Sequence, residues 1–201
     1  MVTKALRIRL SLVFALLGSL GIGCGSSTSS TPTSNNDSGT ASNSSTPSAF
    51  GKKYAFTSNQ VSGWSQDPAS DALWTGAGTD LHLRIDGGDS AYTSKGCLLA
   101  MYQEMVGPNG ESCTVVAMDF GTETQALDMF TYEQQHTAAS IAIPQYDASV
   151  AVASSAIGGI TAYAHITASY FEVQLTGFGD QEDTAAQSAT QFLDILKAKT
   201  N

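Results

Sequence analysis

The chain has 201 residues, enough for one ordinary domain, and it carries 18 acidic against 9 basic residues. Lys4, Arg7 and Arg9 precede Cys24, whereas every acidic residue follows it, so residues 24–201 hold six basic and eighteen acidic residues and a net charge of −12. This excess argues against nucleic acid or an anionic membrane surface as the main ligand, because binding phosphate groups requires clustered lysine and arginine.

The first 23 residues have the pattern of an export signal. The three basic residues are followed by an apolar run from Leu10 to Ile22, which ends in small residues. This run is shorter than the about twenty apolar residues that a transmembrane helix needs. The sequence therefore predicts a signal peptide over residues 1–23.

Gly21-Ile22-Gly23-Cys24 resembles the lipobox of bacterial lipoproteins. In that family the cysteine thiol is diacylated and the cysteine becomes the first residue of the mature chain. Leucine is usual three residues before the cysteine; here Gly21 holds that position and Leu20 lies one step further back. The resemblance implies lipidation of Cys24 and, because Gly25 rather than Asp follows, the outer membrane over the inner one. The alternative is an ordinary secretory signal that leaves Cys24 as a free thiol.

A polar run follows, in which 15 of the 25 residues from Gly25 to Ala49 are serine or threonine. Such a segment cannot bury enough apolar surface to offset its chain entropy. We therefore predict a lipidated Cys24 and a disordered tether over residues 24–49, followed by a single globular domain over residues 50–201. The lipid would hold this domain at the membrane of the cell envelope.

A short helix is predicted to begin at Thr79 and to end at the glycine pair 87–88. His82 and Asp86 would share one face of it, and Asp89 would approach if the chain bends at the glycines. A histidine with two carboxylates suits a divalent metal ion. The alternative is an exposed polar pair, since no second histidine or cysteine lies at ligand spacing, and we assign no metal and no cofactor.

The clearest hairpin signal comes next. Two nearly continuous apolar runs, Cys97–Tyr102 and Thr114–Met118, flank the turn sequence Gly107–Gly110. Continuous apolar runs of this length are typical of strands that are buried on both faces.

Cys97 and Cys113 remain as a candidate disulfide, since cysteines of exported proteins commonly pair. With Pro108-Asn109 as a two-residue turn, Cys113 would face Glu104 and Cys97 would face Phe120. The two thiols would then point to opposite sides of the sheet and lie beyond disulfide distance. A bulge or a longer turn would alter this register, so the sequence leaves the pairing open.

The second half of the domain alternates between strand and helix patterns. Thr122 and Gln125 form a capping box that opens a helix to about His136. Apolar residues alternate with polar ones in three further strands, around Val150–Val152, Ile160–Ile166 and Tyr170–Leu175, and residues 180–199 form an amphipathic helix. We expect the polar side of the last two strands, with Tyr163, His165, Tyr170 and Glu172, to be a solvated sheet surface; a cleft there is the alternative.

These elements predict an α+β domain with a mostly antiparallel sheet of about five strands and about three helices, in the order α-β-β-α-β-β-β-α. This order also resembles an uncharacterised family of exported bacterial domains. The residues that carry the resemblance are Ile85–Gly88, the hairpin through Tyr102, and Asp119–Thr122 leading into a helix with Ala126. No activity is attached to that family, so the resemblance implies a fold and a compartment.

No sequence motif for catalysis is present: the chain lacks Gly-x-Ser-x-Gly, His-Glu-x-x-His, a phosphate-binding loop and Cys-x-x-Cys. The main hypothesis is a non-enzymatic envelope lipoprotein whose domain binds an envelope protein or a small ligand. The alternative is a hydrolase or a metal-dependent enzyme that uses either His82, Asp86 and Asp89 or His165 and Glu172.

Overall fold

The structure, a computed structural model, describes residues 46–69, 71–85, 89–137 and 141–201, with the side chain of Asp89 left out. The predicted signal peptide, Cys24 and all but the last four residues of the predicted tether lie outside the described residues. None of the helices in the described ranges is both long and apolar enough to cross a membrane.

The described helices are α1 (Pro47–Tyr54), a 3₁₀ helix (Gly78–Leu83), α2 (Asp89–Ser94), α3 (Glu123–His136) and α4 (Glu182–Thr200). The strands are β1 (Ser65–Gln66), β2 (Leu73–Ala77), β3 (Leu99–Val106), β4 (Ser112–Asp119), β5 (Ile141–Ala142), β6 (Ala151–Ala156), β7 (Gly159–Ile166) and β8 (Ser169–Thr176). They form one sheet in the order β1-β3-β4-β8-β7-β6-β5, with β2 also on β3, and every pairing is antiparallel.

The predicted class, α+β with an antiparallel sheet, is confirmed, but both predicted numbers are wrong. The described residues form eight strands rather than about five and five helices rather than about three. The additional elements are short, and β1 and β5 have two residues each, too few to show alternation. Helix α1 begins at Pro47 with Thr46 as its N-cap, ahead of residue 50, where the sequence placed the start of the domain.

The 3₁₀ helix replaces the α-helix predicted from Thr79. It begins at Gly78, and Ala77 occupies the cap position without a side-chain hydrogen bond, so Thr79 is not the N-cap. By contrast, the capping residue predicted for α3 is confirmed, since the Thr122 hydroxyl accepts a hydrogen bond from the Gln125 backbone N–H at 3.3 Å.

The register of the β3–β4 hairpin differs by one residue from the prediction. Val106 pairs with Ser112, so the connection has five residues rather than two, and Gly110 closes it at a φ of +89°. Cys113 therefore faces Met105 instead of Glu104. Because side chains alternate between the two faces of a sheet, a register shift of one residue changes which side chains of the two strands lie on the same face.

The sheet is covered on both faces, and each face has its own core. The first, which we call the α4 cluster, lies under α1 and α4 and includes Phe56, Phe171, Val173 and Phe192. The second, which we call the α3 cluster, is built from Leu81, Met118, Phe120, Phe130 and Tyr170, among others. The face that was predicted to be solvated is thus partly covered by α3, and Tyr170 is 0% exposed.

Lys199 joins the ends of α1 and α4. Its ammonium donates to the backbone oxygens of Ala55 at 2.6 Å and Tyr54 at 3.2 Å, and it lies 4.6 Å from the centre of the Phe56 ring. A lysine at this position satisfies carbonyl groups at the end of α1 that lack a helical partner. Burial lowers the pKa of Lys199.

Gln103 is a fully buried polar side chain within the α4 side of the sheet. Its Oε1 accepts a hydrogen bond from the Phe56 backbone N–H at 2.7 Å, and its Nε2 donates to the Phe56 backbone oxygen at 2.8 Å. The Gln66 amide also donates to that oxygen, at 2.7 Å. Gln103 therefore anchors the segment between α1 and β1 to the sheet.

Replacing Gln103 by methionine should lower the free energy of unfolding by about 1–3 kcal/mol, because the buried Phe56 N–H loses its partner. Urea denaturation followed by circular dichroism measures this loss. The matched control is Gln174→Met, since Gln174 is exposed on β8 of the same sheet. Equal stability of the two variants would contradict the role assigned to Gln103.

Candidate functional site

The candidate metal ligands around His82, to which the sequence assigned no metal, are not brought together by the described residues. His82 is exposed, and its Nδ1 lies 2.9 Å from the Thr79 backbone oxygen in the same helical turn. Asp86 and the side chain of Asp89 lie outside the described residues. Within the described ranges no group of three or more histidine, cysteine, aspartate or glutamate side chains could hold a metal ion.

His165 lies on the α3 side of β7, opposite Tyr170 of β8. Its Nε2 is 2.8 Å from the Ser149 backbone oxygen, and its ring centre is 5.1 Å from that of Phe130 in α3. Its Nδ1 is buried and has no hydrogen-bond partner. His165 is therefore held between a loop and a helix.

Glu172 accepts two tyrosine hydroxyls on the same carboxylate oxygen. The Tyr92 hydroxyl of α2 donates to Oε1 at 2.8 Å, and the Tyr170 hydroxyl donates to it at 3.2 Å. Tyr163 lies directly opposite Glu172 on β7. With Glu133 of α3, these residues form what we call the tyrosine–glutamate cluster: Tyr92, Glu133, Tyr163, Tyr170 and Glu172.

The two carboxyl groups of this cluster, Glu172 and Glu133, bind a proton more strongly than a free glutamate does. Burial, and second the charge of Glu133, raise the pKa of Glu172 to about 7, although the hydrogen bonds from Tyr92 and Tyr170 oppose the rise. Burial also raises the pKa of Glu133. No described lysine or arginine forms an ion pair with Glu133 or Glu172. The ion pair found among the described residues lies outside this cluster and joins Arg84 to Asp71 at 3.6 Å.

The tyrosine hydroxyls of the cluster hold their protons more strongly than a free tyrosine does. Burial, followed by the charge of Glu172, raises the pKa of Tyr92 and of Tyr170, and raises that of Tyr163 to about 12. Tyr92 and Tyr170 thus supply O–H groups to Glu172, whereas the side-chain hydrogen bonds of Tyr163 are with Ser154 and Thr161. All three tyrosines supply an aromatic ring to the α3 cluster.

Two members of this cluster, Glu133 and Tyr92, were not predicted as site residues from the sequence. Glu133 follows Ala126, Met129 and Phe130 at helical spacing, which placed it on the buried face of α3, and this pattern was the signal that a carboxylate faces the sheet. Tyr92 belongs to α2, a six-residue helix that follows the glycine pair. Its position depends on the tertiary fold, and no local pattern indicates it.

His165 and Glu172, the second candidate pair of the alternative enzyme hypothesis, share one face of the sheet but are bonded to different partners. In the register of β7 and β8, His165 lies opposite Tyr170 and Tyr163 lies opposite Glu172. His165 and Glu172 are therefore diagonal neighbours. His165 binds a backbone oxygen and Glu172 binds two phenols. The arrangement is a set of hydrogen bonds on the α3 side of the sheet, in which His165 and Glu172 are both partly exposed.

The same sheet face continues past α3 into an open half. By alternation and register, one row across five strands consists of Glu104, Thr114, Gln174, Thr161 and Ser154. Gln174 is exposed and the other four are partly exposed. Glu104 is the one charged residue of this row, and it accepts the Tyr102 hydroxyl at 2.6 Å. This surface is polar but carries little charge.

A small cavity of about 150 Å³ lies beside the open half, at the edge where β2 meets β3. It is lined by Gln66, Asp67, Ala69, Ala72, Leu73, Gln103 and Glu104. Both polar atoms of the Gln103 amide and the Nε2 of Gln66 bind the Phe56 backbone, so these atoms already have partners within the protein.

Cys97 and Cys113 are both buried free thiols that lie in different cores. Cys97 belongs to the α3 cluster and Cys113 to the α4 cluster, on opposite faces of the sheet. Burial raises the pKa of Cys97 to about 12, with a further contribution from Asp119, and burial raises the pKa of Cys113. Both thiols are therefore protonated and shielded from reagents in the folded protein.

A thiol titration tests this placement. In a Cys24→Ser background, the folded protein should not react with a maleimide, and the protein unfolded in guanidinium without reductant should take up two equivalents. The added substitution Cys97→Ser should reduce this to one equivalent. An unfolded, unreduced protein that takes up none would show that the two cysteines are paired.

The comparisons with known proteins give no family. No protein-family model matches the chain, and no curated protein matches it. The chain has a similarity to a solved structure, the extracellular domain of PknH from Mycobacterium tuberculosis, with 11% identity over 67% of this chain and 81% of that one and a TM-score of 0.41. A similarity of this size supports no conclusion about the function of this protein.

Proposed function

We propose that this protein is an exported lipoprotein, anchored by acyl chains on Cys24 to the cell envelope, whose folded domain binds a small ligand or an envelope protein. The observation that carries the proposal is the junction at Cys24. An export-type leader ends on Gly21-Ile22-Gly23-Cys24, and a serine- and threonine-rich run follows at once. Gly25 after the cysteine favours the outer membrane.

The start of the folded domain supports the anchoring. Helix α1 begins at Pro47, within the last residues of the polar run, and 21 residues lie between Cys24 and the Thr46 cap. As a flexible coil, such a segment has ends roughly 25–30 Å apart. Acyl chains at one end and a folded unit at the other would keep the domain close to the membrane surface.

The surroundings of the histidines support a binding role over catalysis. His82, His136 and His165 each place a ring nitrogen within 2.9 Å of a backbone oxygen. A hydrolase would need a base and a nucleophile aimed at one point, whereas these imidazoles are directed at their own backbone. The open half of the sheet offers hydroxyl and amide groups, which suit reversible recognition of a polar ligand.

Removal of the cysteine tests the anchor. Cells that produce the wild-type protein and are fed radioactive palmitate should show the label in the protein, and the protein should sediment with membranes. Cys24→Ser should lose the label and appear in the soluble exported fraction, because no other described segment is long and apolar enough to hold it in a bilayer.

The matched control is Cys97→Ser, which removes a buried thiol and should keep both the label and the membrane location. If Cys24→Ser still sediments with membranes, or if the wild type takes up no palmitate, the anchoring proposal is wrong. Fractionation of inner and outer membranes then tests the preference for the outer one.

A further inference from the structure

We propose that the outer edge of strand β2 pairs with the same edge of a second copy of this chain. The two strands would run antiparallel in a register centred on Thr75, so that two domains share one continuous sheet. This self-association goes beyond the proposed binding role and does not depend on the lipid anchor.

Strand β2 bonds to β3 through alternate residues. Just beyond its two ends, the Glu104 N–H donates to the Ala72 oxygen at 2.7 Å, and the Gly78 N–H donates to the Leu98 oxygen at 2.9 Å. In an antiparallel pair, residues that are hydrogen-bonded to the partner strand alternate with residues whose backbone groups point away from it. Because the register between these two bonds is unbroken, the even-numbered residues of β2 are the ones that bond to β3.

The odd-numbered residues of β2 direct their backbone groups to the outer edge of the sheet. They are Leu73, Thr75 and Ala77, and each offers one N–H and one C=O group. Within the described ranges β2 pairs with β3 alone, and no residue there binds these outward groups. All three residues are at least partly exposed, and Leu73 is 44% exposed. A row of unpaired backbone groups of this kind is a template for a further strand.

The layers on the two faces of β2 cover the strand without closing its edge. Helix α1 lies over both β2 and β3, and its Gly51 packs against the Thr75 side chain. On the other face, Leu81 of the 3₁₀ helix is fully buried in the α3 cluster, which directs this helix inwards. Strand β2 also has no charged residue and no proline, which are the residues that proteins use to block pairing at an edge.

Strand β2 is complementary to itself. In the register centred on Thr75, this threonine faces its own copy, Trp74 faces Gly76 of the second copy, and Leu73 faces Ala77 of the second copy. Each large side chain therefore meets a small one, and the two threonines meet at the centre. All three outward residues then lie in hydrogen-bonded pairs, each of which exchanges two bonds, whereas a shift by two residues would leave two such pairs.

Charge and area define the strength of the contact. Residues 24–201 carry a net charge of −12, so two copies repel each other over most of their surface, and the uncharged β2 is a place where they can approach. Five residues of paired strand bury less than the about 1,200–2,000 Å² of a stable protein interface. We therefore expect a weak dimer, with a dissociation constant between about 10 μM and 1 mM.

Disulfide formation that depends on register tests the pairing. The background is the full chain with Cys24→Ser, in which the two remaining thiols are buried. Hydrogen-bonded residues on facing strands have Cα atoms about 5.5 Å apart, which is within disulfide distance. A mixture of Leu73→Cys and Ala77→Cys should therefore form a disulfide-linked dimer under mild oxidation. Each variant alone should form little, because the two copies of one position lie more than about 13 Å apart.

Sedimentation equilibrium of the Cys24→Ser chain, up to about 1 mM, measures the dimer without a cross-link. Leu73→Lys should raise the dissociation constant at least about tenfold, because a charged side chain replaces an apolar contact at the new interface. The matched control is Leu127→Lys, since Leu127 lies on α3 and is 42% exposed. This control should associate as the parent does, and circular dichroism should show the same fold in both variants.

Hydrogen exchange of the amides of residues 73–77 identifies what covers the edge. Protection that increases with protein concentration supports the second copy. Protection that is independent of concentration would show that another segment of the same chain lies on the edge, and rapid exchange at every concentration would show that water does; either result contradicts the dimer. So does a chain that stays monomeric at about 1 mM, or a cross-link that each cysteine variant forms equally well alone.

Discussion

The fold depends on the position of β8 in the middle of a sheet that is covered on both faces. Alternate residues of this strand lie on opposite sides, so Phe171, Val173 and Leu175 enter the α4 cluster, whereas Tyr170 and Glu172 face α3. Central strands covered on both faces usually carry apolar residues on each. Here one face carries a carboxylate, and its neighbours must therefore supply both ring area and hydrogen bonds, which tyrosine does.

An acid in such a place is costly unless it is bonded, neutralised or hydrated. The domain uses the first two means. Phenol hydroxyls bind the carboxylate, and the site raises its affinity for a proton instead of bringing in a lysine, of which the acidic domain has few. Because Glu172 is neutralised by a proton and not by a lysine, the contribution of this carboxyl group to the free energy of unfolding depends on pH. An ion pair with lysine would have been insensitive to pH near neutrality.

The elements that the sequence predicts correctly are those with long, regular patterns. Strands β7 and β8 alternate over eight residues each, and α3 carries a capping threonine. The register of the β3–β4 hairpin was wrong because the turn sequence admits both a two-residue and a five-residue connection. Helices α1 and α2 are short, and their formation depends on packing against the rest of the domain.

The candidate site was predictable in part. Tyr163, His165, Tyr170 and Glu172 share one side of two strands, as their alternation required, but their coverage by α3 was not visible. Polar and phenolic residues on a strand look the same in sequence whether water or a helix lies above them. Glu133 on the apolar side of α3 was the sign that the two surfaces meet. Tyr92 belongs to a segment that is distant in sequence, 80 positions before Glu172.

The contact of Lys199 with Tyr54 and Ala55 places the last turn of α4 beside the C-terminal end of α1. Helix α1 has eight residues, about 12 Å at 1.5 Å per residue, so Thr46 lies one short helix away from this contact. Neighbouring ends of this kind permit a circular permutation. Joining Asn201 to Thr46 and opening the chain in the exposed β3–β4 turn at Pro108 would keep every strand pairing of the sheet. The folded unit is therefore determined by which strands are neighbours and not by where the chain starts.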